Sequence, residues 1–477
     1  MWQPVLMICG YFISVLGMAM LLPAAVDIYY SHANWSIFIS ASIVSMFIGL
    51  SLFLANRGKI KEISIQQAYL LTVISWTSVA LLASLPFVFY GTSWPDAIFE
   101  GFAGVSTTGV SIYPDIEKLP PALLLWRAVL NGLGGVGIVI FATAMLPFLG
   151  IGGMQIFQRE NSDVNEKFMP KISYMAKRII IVYLVLIGLC LLSLKAAGMG
   201  WFDAVCHALS TISTGGASTK NASIAAFHSA GIEWIVTLFM FLGALPLAFY
   251  YSVLAVRNLH SLRSAQVEAF IKILLLYTIV VWGWMLYNDV YAPWDALRQA
   301  LFTVVSLASS TGYNSADYLS WGAFMATAVL ILSLTGGCTG STSGSVKIFR
   351  WQVVAAQLRR AFITTTEPNR MLPLKVGGTT IASGVANSIF IFFIAYGFSV
   401  AVLTVIVALS GIDFVTAFGA VIGCITNVGA GISQTVGPYG NYAGFSDGIK
   451  LILAFTMLLG RLEILTVLVL FTKSFWR

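Results

Sequence analysis

Charged residues are scarce in this chain. Asp, Glu, Lys and Arg together make up only 9% of its 477 residues, whereas soluble globular domains carry about a quarter. So few charges cannot cover a water-facing surface, which excludes a soluble globular protein. Apolar residues make up 58% and the mean hydropathy is +0.88. The composition therefore predicts an all-α polytopic membrane protein.

Clusters of metal ligands and of catalytic side chains are missing as well. The five cysteines are scattered without a CxxC spacing, and the four histidines are equally dispersed. Cysteines in this arrangement are typical small packing residues. The sequence holds no Ser–His pair and no cluster of His, Asp and Glu. We therefore expect no enzyme, no resident metal site and no organic cofactor.

Ten apolar runs are long enough to span a bilayer. The first run lacks the basic start and the cleavage site of a signal peptide, so we expect it to be retained. The first two runs predict an N-terminal two-helix hairpin (1–62). The other eight form four pairs, which predict pore repeats at 63–170, 171–264, 265–375 and 376–477. The runs lie at 4–26, 35–56, 66–90, 119–149, 175–198, 229–256, 268–290, 319–348, 380–410 and 445–473.

The net charge of +7 is compatible with a nucleic-acid partner, but the positions of the basic residues argue against one. Nineteen of the 26 Lys and Arg residues lie on the same side of the predicted spans. This is the positive-inside pattern, which predicts a multi-pass protein with cytoplasmic basic loops and both termini cytoplasmic. The basic stretches cover 57–61, 159–178, 257–272, 347–375 and 473–477.

The side opposite the basic loops is acidic, with twelve acids against six bases. A net negative face would concentrate cations at a pore mouth. The alternative is that some of these acids only cap short helices. The acids are Asp27, Asp96, Glu100, Asp115, Glu117, Asp203, Glu233, Asp289, Asp295, Asp317, Asp413 and Asp447.

A short polar segment containing glycine lies between the two spans of each pair. Each segment follows a short helix-like run that starts after an aspartate, which we expect to cap the helix. Such a run allows about three to four turns, enough to cross half a bilayer. The pattern predicts four repeats of helix, half-helix pore loop and helix around a central ion pore. The segments are STTGV (106–110), STGGA (213–217), SSTGY (309–313) and TNVGA (426–430), behind Asp96, Asp203, Asp295 and Asp413.

The aspartates place the four glycines in register. Gly109 and Gly216 each lie thirteen residues after their aspartate, whereas Gly312 and Gly429 lie seventeen and sixteen residues after theirs. This spacing groups repeats one and two together, and repeats three and four. It also favours Gly216 over its neighbour Gly215 as the aligned glycine.

Glycine suits a strand whose backbone must bind a dehydrated cation. Carbonyl oxygens replace the water shell of the ion, and glycine adopts the backbone angles that this often requires. For one segment alone, glycine-rich helix packing would explain the pattern, but four segments in register favour a filter. The predicted filter consists of Thr108, Gly109, Gly215, Gly216, Thr311, Gly312, Val428 and Gly429, flanked by Thr107, Thr214, Ser310 and Asn427.

A second glycine-rich run, at 334–347, interrupts one predicted span. It holds so many Gly, Ser and Thr residues that a helix would fray there. A phosphate-cradling loop is the alternative, but the GxxxxGK[ST] pattern is absent. We therefore expect a flexible loop that gates the pore below the filter. The candidate gate residues are Gly336, Gly337, Gly340, Ser341, Ser343, Gly344 and Ser345.

Arg461 lies inside the last predicted span. An intramembrane charge is a candidate functional residue and needs a partner. Glu463 is two residues further along and faces another side of the helix. We expect Arg461 to point into the pore below the filter, where it opposes cation dwell or pairs with the gate. A buried structural ion pair is the alternative.

These features resemble the Trk/Ktr/HKT superfamily of potassium transporters, most closely its bacterial TrkH branch. The resemblance covers essentially the whole chain. It is carried by the four glycine segments in order and by the motifs LGGVG (133–137), LP (146–147) with GGMQ (152–155), GCTGST (337–342) and GRLE (460–463).

The resemblance implies a homodimer in the bacterial inner membrane, surrounded by lipid, with K⁺ as the transported ion. A cytosolic regulatory subunit of the TrkA type that binds nucleotides would be its partner. The run at 336–345 would be the intramembrane gate, and Arg461 the pore-lining arginine. Two features depart from the family. Ser343 and Ser345 stand where members often have glycine, and Tyr313 follows Gly312 where members have phenylalanine.

The sequence thus predicts K⁺ uptake through a fourfold pseudosymmetric filter. One aligned glycine per segment is fewer than in the TVGYG of potassium channels, so we expect K⁺ and Rb⁺ to be preferred over Na⁺, but not absolutely. The alternative is a secondary transporter of another small solute with broken helices. Such proteins usually show two inverted repeats, whereas this chain has four of the same hand.

Overall fold

The computed structural model describes residues 2–58, 63–149, 168–254, 264–370 and 372–476. The GGMQ motif at 152–155 and parts of the basic stretches, at 59–61, 159–167, 257–263 and 477, lie outside the described residues. The predicted boundaries between the repeats stay predictions.

The described chain is mostly helical, as predicted. A two-residue antiparallel hairpin joins β1 (Lys375–Val376) and β2 (Thr379–Thr380). Short 3₁₀ helices cover Ile116–Lys118, Ser223–Phe227, Tyr318–Trp321 and Val469–Phe471. The α-helices are α1 (Trp2–Ala19), α2 (Leu21–Tyr29), α3 (Trp35–Ala55), α4 (Ile65–Ala83), α5 (Leu85–Phe89), α6 (Trp94–Val105), α7 (Pro121–Leu149), α8 (Phe168–Ala196), α9 (Trp201–Ile212), α10 (Ala230–Gly243), α11 (Leu247–Leu254), α12 (Ala265–Tyr287), α13 (Pro293–Ala308), α14 (Ala323–Thr335), α15 (Ile348–Thr366), α16 (Ser383–Ala408), α17 (Phe414–Ile425), α18 (Asp447–Arg461) and α19 (Ile464–Leu468).

All ten predicted spans fall on helices, but three of them are broken. The predicted break in repeat three is present, between α14 and α15. The breaks in repeats two and four were not predicted. Pro246, which has no backbone N–H, lies in the break between α10 and α11. The chain bends by 113° after α18. Seven helical spans of the described chain are long and apolar enough to cross a membrane, and these are Trp2–Tyr29, Trp35–Ala55, Ile65–Phe89, Pro121–Phe141, Ala176–Ala196, Ala265–Tyr287 and Ser383–Ala408.

The N-terminal hairpin is held by small residues. A Cβ added to Gly10 would lie 2.6 Å from the carbonyl oxygen of Gly49, and one added to Gly49 would lie 2.5 Å from Ser14 Oγ. Ser42 Oγ donates to the carbonyl of Gly17 at 2.7 Å. Small residues let two helix backbones approach closely in a membrane, where burial of apolar surface gives little drive for association.

Each pore repeat contains a short buried helix, and these are α6, α9, α13 and α17, here named pore helices 1 to 4. Of the four aspartates, Asp413 caps its helix, because its carboxylate accepts from the Thr416 amide at 2.9 Å. The other three do not. Asp96, Asp203 and Asp295 lie inside the first turn, where a carboxylate also interacts favourably with the helix dipole. Aspartate is favourable both at the N-cap and in the first turn, so the residue type alone could not show which of the two positions it occupies.

The end of each pore helix gives a more regular register than its aspartate does. Every filter glycine lies four residues after the last residue of its pore helix. Pore helices 1, 2 and 4 have 12 residues, whereas pore helix 3 has 16. The predicted similarity of repeats one and two agrees with these lengths, whereas the predicted similarity of repeats three and four is wrong. By pore-helix length repeats one, two and four are alike, and the third has one additional helical turn.

Large apolar side chains cover the outside of the spans. A soluble protein would not expose so many of them together, so we assign this surface to lipid contact. Examples are Phe47, Leu184, Ile279, Phe390, Ile394 and Phe398, each more than half exposed.

Candidate functional site

Two residues of each filter segment adopt left-handed backbone angles. One is the glycine, with φ between +66° and +78°, and the other lies two positions earlier. Gly216 has this conformation and Gly215 does not. This agrees with the choice of Gly216 from the spacing to the aspartates. A left-handed non-glycine residue costs about 1 kcal/mol, so the surrounding structure must hold the segments in place. The eight residues are Thr107 and Gly109, Thr214 and Gly216, Ser310 and Gly312, and Asn427 and Gly429.

The four filter segments form a closed ring. A Cβ added to any filter glycine would collide with a carbonyl oxygen of the next repeat. That oxygen belongs in each case to the residue just before the next repeat's own glycine, and repeat four returns to repeat one. The ring therefore follows chain order, with four equivalent carbonyls. The collision partners are Gly215 for Gly109, Thr311 for Gly216, Val428 for Gly312 and Thr108 for Gly429.

The ring faces a cavity of about 90 Å³, here named the filter cavity. Of the eight predicted filter residues, all except Gly215 line it. The described residues that line this cavity include Arg127 and Lys220, and none of them is acidic. The predicted concentration of cations by mouth acids is therefore not supported at this wall.

Several of the predicted mouth acids are instead buried and bound to protein groups. Asp27 accepts from the Ala122 amide at 3.2 Å. Glu233 and Arg298 form an ion pair at 2.8 Å. The Arg127 guanidinium lies 3.2 Å from Glu100, and both side chains are almost fully buried. These acids hold elements together rather than face solvent.

Asp115 belongs to a contact between repeats one and two. Asn221 Nδ2 donates to its carboxylate at 2.9 Å, and Lys118 Nζ lies 2.9 Å from it. The Asn221 hydrogen bond and Lys118 hold the pKa of Asp115 below its usual range. Asn221 Oδ1 also accepts from the Ile116 amide at 2.7 Å, so one side chain joins the loops that follow two filter segments.

One polar side chain on each pore helix hydrogen-bonds a serine beyond its own filter segment. We name these four bonds the ties, because each joins the descending half-helix to the ascending chain. In the first three repeats the helix residue lies four positions after the aspartate, a spacing that the sequence analysis overlooked. The ties are Ser111 to Glu100 at 2.5 Å, Ser218 to His207 at 2.9 Å, Ser315 to Gln299 at 2.5 Å, and Thr416 to Ser433 at 2.9 Å.

A glycine in the second span of three repeats lies against the end of the pore helix. A Cβ added to Gly134 or Gly460 would collide with the carbonyl oxygen of the last pore-helix residue, and one added to Gly243 would lie 3.0 Å from it. Those residues are Val105, Ile212 and Ile425. This contact explains glycines of the LGGVG and GRLE motifs, which the sequence analysis treated only as family markers.

The chain between α14 and α15, residues 336–347, is here named the gate loop. It replaces helix, as predicted, and most of its residues are buried. Gly336, Gly340, Ser345 and Lys347 have positive φ. Ser345, one of the two serines where the resemblance implies glycine, thus occupies a position that favours glycine.

The gate loop contacts the filter segments of repeats two, three and four. Ser310 Oγ lies 3.0 Å from Ser343 Oγ and accepts from the Gly344 amide at 2.6 Å. The Thr342 hydroxyl lies within hydrogen-bond distance of the Ile212 carbonyl and of Thr214 Oγ1. A Cβ on Gly344 would lie 3.0 Å from Asn427 Cβ. The loop is therefore packed directly against the filter.

Arg461 is the last residue of α18 and is 4% exposed. Its guanidinium donates to the carbonyls of Thr342 at 3.1 Å and Gly134 at 3.3 Å. Arg461 forms no ion pair with any described residue, so the alternative of a buried structural ion pair is not supported. Its guanidinium contacts the gate loop instead, through the Thr342 carbonyl. Glu463 pairs instead with Arg350 at 2.7 Å.

The Glu100–Arg127 pair provides a prediction about stability. Glu100→Gln keeps an acceptor for Ser111 but leaves the buried Arg127 without its counter-charge, so we expect a loss of about 3 kcal/mol. The melting temperature of the purified protein in detergent should fall clearly. The matched control is Glu367→Gln, which breaks an exposed pair with Arg370 and should change stability by less than about 1 kcal/mol. Equal effects would contradict the stabilising role of the buried pair.

The comparison with known proteins agrees with this architecture. Residues 33–477 match the family model described as TrkH, cation transport protein. The chain belongs to the TrkH family. As a TrkH-family member it is a multi-pass membrane transporter and not an enzyme.

Two curated relatives and one crystal structure show how far the similarity extends. The chain is 36% identical to the Trk system potassium uptake protein TrkI of Halomonas elongata, over 100% of this chain and 97% of the relative. It is 33% identical to TrkH of Vibrio parahaemolyticus, over 100% and 99%. The crystal structure of the potassium transporter TrkH from V. parahaemolyticus superposes with a TM-score of 0.93 at 32% identity, covering 100% of both chains.

Proposed function

We propose that this TrkH-family protein takes up K⁺ through the ring of filter segments, with K⁺ and Rb⁺ preferred over Na⁺. The closed glycine–carbonyl ring carries this proposal. Four carbonyls from four repeats supply oxygens that can replace the hydration shell of an ion. The glycines are needed both for their left-handed φ and because a Cβ would displace a neighbouring carbonyl. The relatives named as potassium uptake proteins support K⁺ as the ion.

We further propose that the gate loop closes the pathway on the side away from the filter cavity. Its contacts with Ser310 and Thr214 support this role, as does the Arg461 bond to its backbone. A fixed positive charge at Arg461 also opposes the dwell of a cation at that level. Opening requires the loop to leave these partners.

The assembly proposed for the protein follows its family. It is a homodimer in the inner membrane, with both termini cytoplasmic and a cytosolic TrkA-type subunit that binds nucleotides. The basic stretches of the sequence support this orientation. The exposed apolar spans support contact with lipid.

Growth complementation tests the proposed function. A K⁺-uptake-deficient bacterium should grow at low K⁺ when it expresses this protein together with its cytosolic partner. Uptake through the filter predicts that growth depends on the intact ring, so Gly312→Asp at equal abundance should abolish rescue. Failure of the abundant wild-type protein to restore growth would contradict K⁺ uptake.

A further inference from the structure

His207 is the one histidine among the four ties. Its ring is fully buried on pore helix 2. Nδ1 lies 2.8 Å from the backbone carbonyl oxygen of Asp203, and Nε2 lies 2.9 Å from Ser218 Oγ. A carbonyl oxygen can only accept, so Nδ1 carries the hydrogen and Nε2 of the neutral ring is an acceptor.

Ser218 is consequently the donor of this tie. Its hydroxyl oxygen also accepts from the Lys220 amide at 3.0 Å. The same arrangement occurs in repeat one, where Ser111 donates to Glu100 and accepts from the Tyr113 amide at 3.1 Å. In each case the serine donates to the pore helix and receives a bond from the amide two residues later.

Repeat three uses an uncharged acceptor for the same purpose. Ser315 donates to Gln299 Oε1 at 2.5 Å. In three repeats, therefore, a carboxylate, an imidazole and an amide each accept a hydrogen bond from a serine beyond the filter segment. Of these three, histidine alone gains a proton and loses its acceptor near neutral pH.

A second proton on the His207 ring would add a positive charge where others already lie. The Arg127 guanidinium donates to the Ser218 carbonyl at 3.3 Å, and the Lys220 side chain also acts on the ring as a positive charge. The nearest carboxylate, on Asp203, already accepts from Thr219 at 2.6 Å. An imidazolium would leave the Ser218 hydroxyl hydrogen without its acceptor. The titratable or charged groups near the ring are Asp203, Cys206, Arg127, Lys220 and Tyr313, and the rings of Phe227 and Tyr313 lie 5.2 and 5.9 Å away.

The tie connects directly to the filter and to water. Ser218 lies two residues after Gly216, and both residues line the filter cavity. Ser218 is thus the member of the tie that faces the cavity, and it stands in the same short stretch of chain as Gly216.

We infer that His207 is a positioning residue of the filter and that its protonation from the filter cavity lowers K⁺ uptake. The inference rests on the proposed function, because it assigns a pH response to the same ion pathway. The neutral ring holds filter segment 2 through Ser218. The charged ring can only donate, so the Ser218 hydroxyl must turn to accept from Nε2 and its own hydrogen loses its acceptor.

The test uses full-length protein in proteoliposomes, with Rb⁺ uptake measured at a clamped membrane potential. We expect the wild-type rate to fall about threefold or more as external pH is lowered from about 8 to about 5. His207→Gln should remove most of this fall, with each variant normalised to its own rate at high pH. The amide accepts from Ser218 as Gln299 does from Ser315, but it does not titrate.

Two further variants remove the tie from opposite ends. His207→Leu and Ser218→Ala should each lower the preference for K⁺ over Na⁺ at every pH, and the double variant should add little to either. An unchanged pH profile in His207→Gln would overturn the inference, as would wild-type selectivity in both of the other variants. A wild-type protein that takes up no Rb⁺ at any pH would overturn the proposed function itself, and the role of His207 with it.

Discussion

Replacement of Gly216 by serine is expected to reduce the preference for K⁺ over Na⁺ about tenfold. Gly216 has φ +66°, and a Cβ there would collide with the Thr311 carbonyl oxygen of the next repeat. The segment must shift, and a change of about 1.4 kcal/mol in the free-energy difference between two bound ions changes their ratio tenfold. The measurement is Rb⁺ uptake into proteoliposomes in the presence of competing Na⁺ or K⁺.

Two glycines provide matched controls for this variant. In Gly215→Ser the added Cβ would lie 2.5 Å from Asn131 Nδ2. This clash involves a side chain and not a ring carbonyl, and Gly215 has no left-handed φ, so the variant should reduce the preference less. Gly188 has no atom within 4 Å of an added Cβ, so Gly188→Ser should behave as wild type. An unchanged ion preference in Gly216→Ser, or an equal loss in Gly188→Ser, would remove Gly216 from the filter.

Replacement of Arg461 by alanine is expected to raise Rb⁺ flux through the resting protein about tenfold. The change removes donors to the Thr342 and Gly134 carbonyls, and hydrogen bonds that involve a charged group contribute about 1.5–3 kcal/mol. A loss of only 1.4 kcal/mol from the closed state raises the open population about tenfold while that population is small. The flux is measured in proteoliposomes without the cytosolic partner.

The gate interpretation also predicts the behaviour of neighbouring variants. Ser343→Ala removes one contact with Ser310 and should raise resting flux by a smaller factor, while deletion within 336–345 should raise it strongly. Arg359→Ala removes an exposed positive charge from α15 and should leave the flux unchanged. Resting flux equal to wild type in both Arg461→Ala and the shortened loop would contradict a gate at this position.

The filter and the gate loop could be located from the sequence because their composition conflicts with their surroundings. Polar segments with glycine are unusual between membrane spans, and the run at 334–347 cannot form a stable helix. The exact register was harder to obtain. Asp413 caps its helix whereas Asp96 lies within the first turn, and no local signal distinguishes these positions or indicates the additional turn of pore helix 3.

The ties and the ring order could not be predicted, because both depend on contacts between distant parts of the chain. The partner of Arg461 is a backbone carbonyl, which leaves no trace in the sequence. The acidic residues led to an expectation that the structure does not support. Glu100 looked like part of a charged mouth, but its carboxylate is buried between Ser111 and Arg127.

Competition for Rb⁺ uptake by the wild-type protein tests the central claim most directly. A ring of four carbonyls should accept K⁺ in place of Rb⁺ with similar affinity. A tenfold excess of external K⁺ over Rb⁺ should therefore outcompete the tracer and nearly abolish its uptake. The same excess of Na⁺ should reduce uptake much less. Equal suppression by Na⁺ and K⁺ would contradict a K⁺-preferring filter built from these four segments.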